Sequence, residues 1–388
     1  MNVPMNVPMH RLHIHNHGRI MKTLFGLIVG MWSSLCAEAG GTSLAVADER
    51  SLTIKPGREF SADSYVYKPL TDDAPLDPQS RSYVANIQRQ IKQYYGHPDV
   101  VGNLPVYIVP MDQPTVRVKV DWEDPAATFS PLQPRWMAVP LPDGFQTSEG
   151  PDGGGGDSAA VVYQPSSGTM WEFWAMKKTV ARVTDSKGHE VDEWGARWGG
   201  RMDNIATNPG YWVTTPEGYK FGTTASGIPF LAGLITIDEL QRGAIDHIVG
   251  FALPETLAER WSYPAQRTDG TFHGADAIPE GAIFRLPARL NLDAMDMDPF
   301  ARMIAKAVQK HGMILWDVSG VVGFSAQNPA NRYPDGNPFY KEGGILRCPA
   351  GADSSDPNNQ VIYACWAPQR LLGFPWDKLQ ALKTRIAK

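Results

Sequence analysis

Residues 169–176 read TMWEFWAM, and this stretch decides the interpretation of the fold. Side chains of a β-strand point alternately to its two faces. The even-numbered side chains from Met170 to Met176 therefore share one face, and the odd-numbered ones from Trp171 to Ala175 share the other. Because large apolar groups occur on both faces, the stretch predicts a strand that is covered on both sides.

Similar patterns on either side of this strand extend the prediction to a sheet. Residues 159–164, 169–177 and 193–202 are predicted to be consecutive antiparallel strands, separated by turn-forming residues at 166–168 and 185–188. The chain has 37 Gly and 32 Pro, which favour many turns and few long helices. We expect a mainly β fold with a few helices, an antiparallel β-sandwich of the jelly-roll type.

The remaining elements follow from periodicity and capping signals. Helices are predicted over 80–95, 236–243, 298–311 and 375–386. Strands are predicted over 106–109, 116–122 and 245–253, with a hairpin formed by 313–316 and 321–325. Gly199 and Gly200 predict a bulge or a close approach of another group to the backbone.

The amino-terminal region carries an export signal. Lys22, the short apolar run 23–32 and the Ala37-Glu38-Ala39 motif predict a signal peptide over 21–39, preceded by a dispensable leader, 1–20. The apolar run is shorter than the roughly 20 residues that cross a bilayer. We expect cleavage after Ala39, no membrane span, and a secreted or periplasmic protein. An uncleaved anchor and a lipid on Cys36 are the alternatives.

Residues 40–150 are predicted to form an N-terminal segment with a helix and strands, and 151–388 the main β-rich domain. The glycine run 153–156 lies at this boundary, and the alternative is one continuous domain over 59–388. Of 3 cysteines, Cys348 and Cys365 remain after signal cleavage and are predicted to form a disulfide in an oxidising compartment.

Composition limits the classes of ligand that the chain is expected to bind. The net charge of −5 and the lack of a Lys/Arg-rich block make nucleic acid an unexpected partner, because phosphate binding needs a basic footprint. No metal or cofactor is predicted, since the common metal and nucleotide motifs are not found in the sequence. The 12 tryptophans suit either sugar stacking or a well-filled core.

Glu172 is the leading catalytic candidate, because it is the ionisable group among large apolar side chains on its strand. In a cleft, burial raises the pKa of a carboxyl, which then serves as a general acid. The alternative is a structural pair with an arginine, for which Arg182, Arg197 and Arg201 are the candidates. His247 is a second catalytic candidate, although its apolar neighbours equally suit a core histidine.

Three regions supply candidate substrate-binding groups: the Glu172 strand with Trp174, the strand around 194–201, whose tryptophans and arginines suit a polysaccharide groove, and the polar loop 263–270. Core packing of the tryptophans and a plain turn are the respective alternatives. The candidate binding residues are Trp174, Trp194, Trp198, Arg201, Gln266, Arg267 and Asp269.

Taken together, these motifs resemble those of a group of exported bacterial proteins. The shared stretches are 60–83, 162–163 with 171–174, 225–229 with 233–235, 245–247, 264–267 and 310–314. This resemblance covers most of the mature chain and implies no particular catalytic residue. Locally, 171–174 also resembles the Glu-bearing strands of jelly-roll glycanases, which implies a second carboxylate about 5–5.5 Å away in a retaining enzyme. Glu193 and Asp203 are the candidates for it.

The sequence thus predicts an exported carbohydrate-active enzyme, a polysaccharide hydrolase or lyase, that uses a carboxylate acid/base in an aromatic-lined cleft. Its expected partner is a polysaccharide or oligosaccharide. The alternative is a non-catalytic glycan-binding or cell-envelope protein that uses the same aromatic surface.

Overall fold

The computed structural model describes residues 59–120, 131–216, 218–328 and 371–387, with the backbone alone at 101–103. All of these residues lie in the compact unit that spans 52–388. The predicted leader, the signal peptide and the Cys348–Cys365 disulfide fall outside the described residues. Among the described residues, no helix has the length and apolarity needed to cross a membrane.

The described chain is mainly β with a few helices, as predicted. The helices are α1 (Ser80–Gln93), α2 (Ile237–Arg242) and α3 (Pro299–Lys310). The strands are β1 (Asp99–Leu104), β2 (Val106–Ile108), β3 (Val118–Val120), β4 (Ala160–Gln164), β5 (Thr169–Trp174), β6 (Lys177–Thr184), β7 (Glu190–Ala196), β8 (Trp198–Met202), β9 (Val249–Leu253), β10 (Trp261–Ser262), β11 (Ile283–Arg285), β12 (Met313–Val318), β13 (Gly323–Gln327), β14 (Gln380–Ala381) and β15 (Ile386–Ala387).

The largest sheet has six strands in the order β1-β13-β9-β12-β11-β14. It mixes directions: β1 pairs in parallel with β13, and β9 in parallel with β12, whereas β9 and β13 are antiparallel. The predicted hairpin over 313–325 is wrong, because β9 lies between β12 and β13. Every residue of β9 is buried, which suits this central position.

A four-stranded sheet, β2-β4-β5-β8, contains the Glu172 strand as β5. Its β4–β5 and β5–β8 pairs are antiparallel, as predicted, but β2 and β4 are parallel. The predicted strand 169–177 ends early, since Ala175 has a left-handed φ of 51°. The chain then continues as β6, which joins the separate three-stranded sheet β3-β7-β6.

Other pairings connect described residues before position 150 with described residues after it. The predicted strand 193–202 is divided between β7 and β8, which belong to different sheets. Strands β1, β2 and β3, all before residue 150, pair with β13, β4 and β7, all after it. A small two-stranded sheet joins β10 to β15.

Strand β12 contributes to two hydrophobic cores, one on each face of the six-stranded sheet. Met313 and Leu315 belong to the core that contains the apolar faces of α1 and α3. Ile314 and Trp316 belong to the core shared with the four-stranded sheet. On that side Gly250 is required, because a Cβ there would lie 2.5 Å from the Trp316 ring. The six-stranded sheet is therefore packed between a helical layer and a second sheet.

The helices follow their sequence signals, with one exception. Thr236 and Glu239 form the capping box of α2, and the Asp298 side chain caps α3. The helix predicted over 375–386 is wrong: a short 3₁₀ turn, Trp376–Lys378, is followed by β14 and β15. The apolar residues of this stretch pack from an extended chain into the core that contains the apolar faces of α1 and α3, which we call the helical core. The apolar pattern that predicted a helix therefore reflects burial and not helical structure.

Candidate functional site

Glu172 lies in the middle of β5, opposite Val161 of β4 and Gly200 of β8. Its side chain is fully buried. The backbone N–H of Phe230 donates to Glu172 Oε1 at 2.7 Å, and the Thr223 hydroxyl donates to Oε2 at 2.9 Å. Burial raises the pKa of Glu172 to about 7, although these hydrogen bonds oppose the increase.

The covering segment, residues 211–216 and 218–230, lies over the face of the sheet that carries Glu172. Gly200 makes room for it: a Cβ there would lie 2.7 Å from the Trp212 ring and 3.1 Å from Phe221. This is the close approach that the paired glycines predict. Glu172 accordingly joins β5 to the covering segment, and its predicted catalytic role stays a prediction.

Two of the arginines that could have paired with Glu172 have other contacts. Arg182 is paired with Asp192, and Arg201 with Asp203 at 2.9 Å. The partners of Glu172 are instead a threonine hydroxyl and backbone amides.

Trp174 and Trp198 face each other across the antiparallel β5–β8 pair. Both are only half-buried, unlike the tryptophans of the cores. The Trp174 indole donates from Nε1 to Asp157 Oδ1 at 3.1 Å. The Arg267 guanidinium lies 5.9 Å from the Trp198 ring centroid. Each of the two tryptophans therefore has a charged neighbour, Asp157 beside Trp174 and Arg267 beside Trp198.

Arg267 holds the covering segment in place through backbone carbonyls. Its Nε donates to Ala225 O at 2.9 Å, and its Nη2 donates to Gly222 O and Thr224 O, both at 2.7 Å. Its Nη1 donates to Lys220 O. The neighbouring Gln266 also binds backbone: its N–H donates to Ser226 O and its Nε2 to Pro264 O. Arg267 and Gln266 thus fix the backbone of the covering segment around 222–226.

Three carboxyl groups, Asp269, Glu280 and Asp317, form an acidic cluster near Arg267. Asp269 and Glu280 are close enough for each carboxyl to affect the pKa of the other, although neither Glu280 oxygen has a hydrogen-bond partner among the described residues. Burial, together with the charges of Asp269 and Asp317, raises the pKa of Glu280 well above its usual value. Burial and the neighbouring Asp269 also raise the pKa of Asp317 well above its usual value.

The members of the acidic cluster differ in access. Burial raises the pKa of Asp269, and the Arg267 charge only partly opposes this increase. Glu280 is fully buried, whereas Asp269 and Asp317 are partly exposed. Asp269 and Asp317 are thus two partly exposed residues whose carboxyl pKa values are raised, and a carboxyl of raised pKa is a candidate general acid.

The structure brings together four of the predicted binding residues, Trp174, Trp198, Arg267 and Asp269, and Gln266 is adjacent in sequence. Other candidates contact different groups. Trp194 is buried against Phe145, with ring centroids 5.0 Å apart, and Arg201 lies over the Trp171 ring. The candidates for a second carboxylate are also engaged. Glu193 accepts from the Thr179 hydroxyl at 2.7 Å, and Asp203 pairs with Arg201.

His247 is buried in a structural ion pair. Its Nε2 lies 2.9 Å from Glu239 Oε1, and its Nδ1 lies 2.6 Å from Ile248 O. Burial lowers its pKa, but the Glu239 charge and hydrogen bond prevail and raise the pKa to about 8. These contacts match the core histidine that is the alternative to a catalytic one.

Sequence reasoning did not identify Glu280, Asp317 or Asp157. A signal for Asp317 was present, since this acidic residue directly follows the apolar run 313–316. Nothing in the local sequence connects it with Asp269, which lies 48 positions earlier.

Within the part of the chain that the structure describes, no group of three His, Cys, Asp or Glu side chains is arranged to hold a metal ion. The chain matches no protein-family model, no curated protein and no solved structure at a significant level.

Proposed function

We propose that this protein is an exported carbohydrate-active enzyme that cleaves a polysaccharide by acid–base chemistry at the acidic cluster. The observation that carries the proposal is the position of Asp269 and Asp317 beside Arg267, whose guanidinium lies over Trp198. Perturbed carboxyls next to half-buried aromatic rings combine proton transfer with a surface on which a sugar ring can stack.

In this proposal Asp317 donates a proton to the leaving glycosidic oxygen, and Asp269 acts as the carboxylate that activates water or stabilises the developing positive charge. Glu280 is a positioning residue, because it is fully buried near Asp269 and its pKa is raised well above its usual value. Trp174 and Trp198 provide the stacking surface. Glu172 and Arg267 hold the covering segment, which in this proposal forms one side of the substrate site.

Hydrolysis is better supported than a lyase reaction. A polysaccharide lyase commonly needs a cation that neutralises the uronate carboxylate of its substrate. Arg267 is a cation beside the acidic cluster, but its Nε, Nη1 and Nη2 all donate to backbone carbonyls. We therefore favour a glycoside hydrolase.

The test is product release from a panel of polysaccharides by the wild type and by Asp317→Asn and Asp269→Asn. Removing a general acid or base costs about 10²–10⁴ in rate, and we expect losses of that size. Asp203→Asn is the matched control, since Asp203 is paired with Arg201 at another place. Wild-type rates in Asp317→Asn, or no product from any polymer, would reject the proposed enzyme.

The same half-buried tryptophan pair also suits a non-catalytic glycan-binding protein. In that case the wild type retains a polysaccharide without releasing product, and Trp198→Ala weakens retention while Asp317→Asn does not. This pattern distinguishes binding from cleavage.

A further inference from the structure

A second surface feature, the α1 groove, lies apart from the acidic cluster and the tryptophan pair. It runs between α1 on one side and the segments 287–291 and 377–380 on the other, and has a volume of about 1480 Å³. Arg81, Ala85, Gln88 and Lys92 of α1 line it. Their spacing of four, three and four residues puts them on one stripe of the helix.

The charge of the α1 groove is opposite to that of the whole chain. Five cations and two carboxylates are among its lining residues, whereas the chain carries a net charge of −5. The cations are Arg81, Arg89, Lys92, Arg289 and Lys378, and the carboxylates are Asp77 and Asp377.

Three of these cations are not neutralised by neighbours. Arg89 pairs with Glu255, and Lys378 with Asp377 at 2.7 Å. Arg81, Lys92 and Arg289 are exposed, and among the described residues no ion pair joins them to an acidic group. The α1 groove therefore presents three solvated positive charges on two facing walls.

The spacing of the charges indicates the shape of a ligand. Arg81 and Lys92 are eleven positions apart, about 16 Å at a rise of 1.5 Å per residue. Arg289 faces them from the other wall. A small anion could contact one of these groups at a time, whereas an extended chain with repeated negative charges can contact all three.

We propose that the α1 groove binds an anionic polysaccharide, a chain of uronate-type sugars, at a place separate from the acidic cluster. Carboxylates spaced along a polymer match three separated cations. Nucleic acid fits less well: it carries a denser charge, and single strands are usually held by aromatic side chains on which bases stack. None of the described residues that line the groove is aromatic.

The experiment measures the affinity of the purified full chain for polygalacturonate, with neutral dextran and single-stranded DNA as comparison polymers. The test variant is the triple Arg81→Gln, Lys92→Gln and Arg289→Gln. The matched control removes the same charge elsewhere, through Arg117→Gln, Lys119→Gln and Lys187→Gln, all at exposed positions. Unfolding curves of both triples establish that each is folded.

We expect polygalacturonate to bind and dextran not to bind. Because exposed charge pairs are individually weak, the groove triple should lose about tenfold in affinity, and the control triple about twofold or less. Equal losses in both triples, or no binding of polygalacturonate, would overturn the proposal. Tighter binding of DNA that the groove triple abolishes would assign the groove to nucleic acid instead. Rates at the acidic cluster are measured separately, so failure of one proposal is distinguishable from failure of the other.

Discussion

Glu172 shows what a buried carboxylate does in a strand. It sits among apolar residues of β5, yet the Phe230 amide and the Thr223 hydroxyl both donate to it. Burial of an ionised group is costly unless it is hydrogen-bonded. Here the hydrogen bonds come from one loop, so the carboxyl ties that loop to the sheet.

This position has a consequence for stability. The folded-state pKa of Glu172 is raised from 4.5 to about 7, so the folded protein binds more protons than the unfolded chain between these values. Its contribution to stability therefore falls as pH rises from 4.5 to 7, by at most about 1.4 kcal/mol per pH unit. We expect Glu172→Gln to remove this part of the pH dependence, measured by urea unfolding between pH 5 and pH 8.

Glu190→Gln is the control, because Glu190 is exposed on β7. It should keep the wild-type pH profile. A Glu172→Gln profile parallel to that of the wild type would show that Glu172 ionises with its ordinary pKa in the folded protein.

At the scale of single residues, the sequence predicted part of the candidate site. Alternation placed Glu172 and Trp174 on one face of a strand, because that face depends on local geometry alone. The acidic cluster was missed, since Asp269 and Glu280 lie in the connection between β10 and β11 whereas Asp317 lies on β12. Only the packing of β12 beside the loop after β10 brings their carboxyls together, and no local pattern encodes that packing.

At the scale of elements, β8 depends on the absence of a side chain at Gly200. A Cβ on Gly200 would meet the Trp212 ring at 2.7 Å. We expect Gly200→Ala to destabilise the fold by about 1–3 kcal/mol through overpacking, measured by thermal or urea unfolding. Gly155→Ala is the control, since a Cβ there meets nothing within 4 Å, and it should change stability by less than about 0.5 kcal/mol. Equal stability of the two variants would mean that Trp212 moves aside without cost.

Most elements were predictable, whereas their connections were not. Capping residues located α2 and α3, and apolar alternation located β4 and β5. Short neighbouring strands suggested a hairpin over 313–325, but the fully buried β9 occupies the place between them. Periodicity reports which face of an element is buried and does not report which strand lies beside it.

At the scale of the whole molecule, the two cores are joined through β12. Leu315 packs into the helical core, and Trp316 into the core shared with the second sheet. Because one strand serves both, we expect a single unfolding transition, with tryptophan fluorescence and far-UV circular dichroism changing together. Leu315→Ala should lower the free energy of unfolding by about 2–5 kcal/mol and still give coincident curves.

Leu372→Ala is the control, because Leu372 is 63% exposed, and its unfolding curve should match that of the wild type. Two separate transitions in the wild type, or a Leu315→Ala variant that loses only one of the two signals, would show that the cores unfold independently.

The position of Asp317 on this shared strand has a further consequence. Central strands open to solvent only when much of the structure unfolds, so amide hydrogens of β12 should be among the slowest to exchange with deuterium. Asp317, which we propose as the proton donor, would then become displaced only when a large part of the protein unfolds. Heat would disable such a site only at the temperature at which the molecule melts, and activity would return in step with refolding.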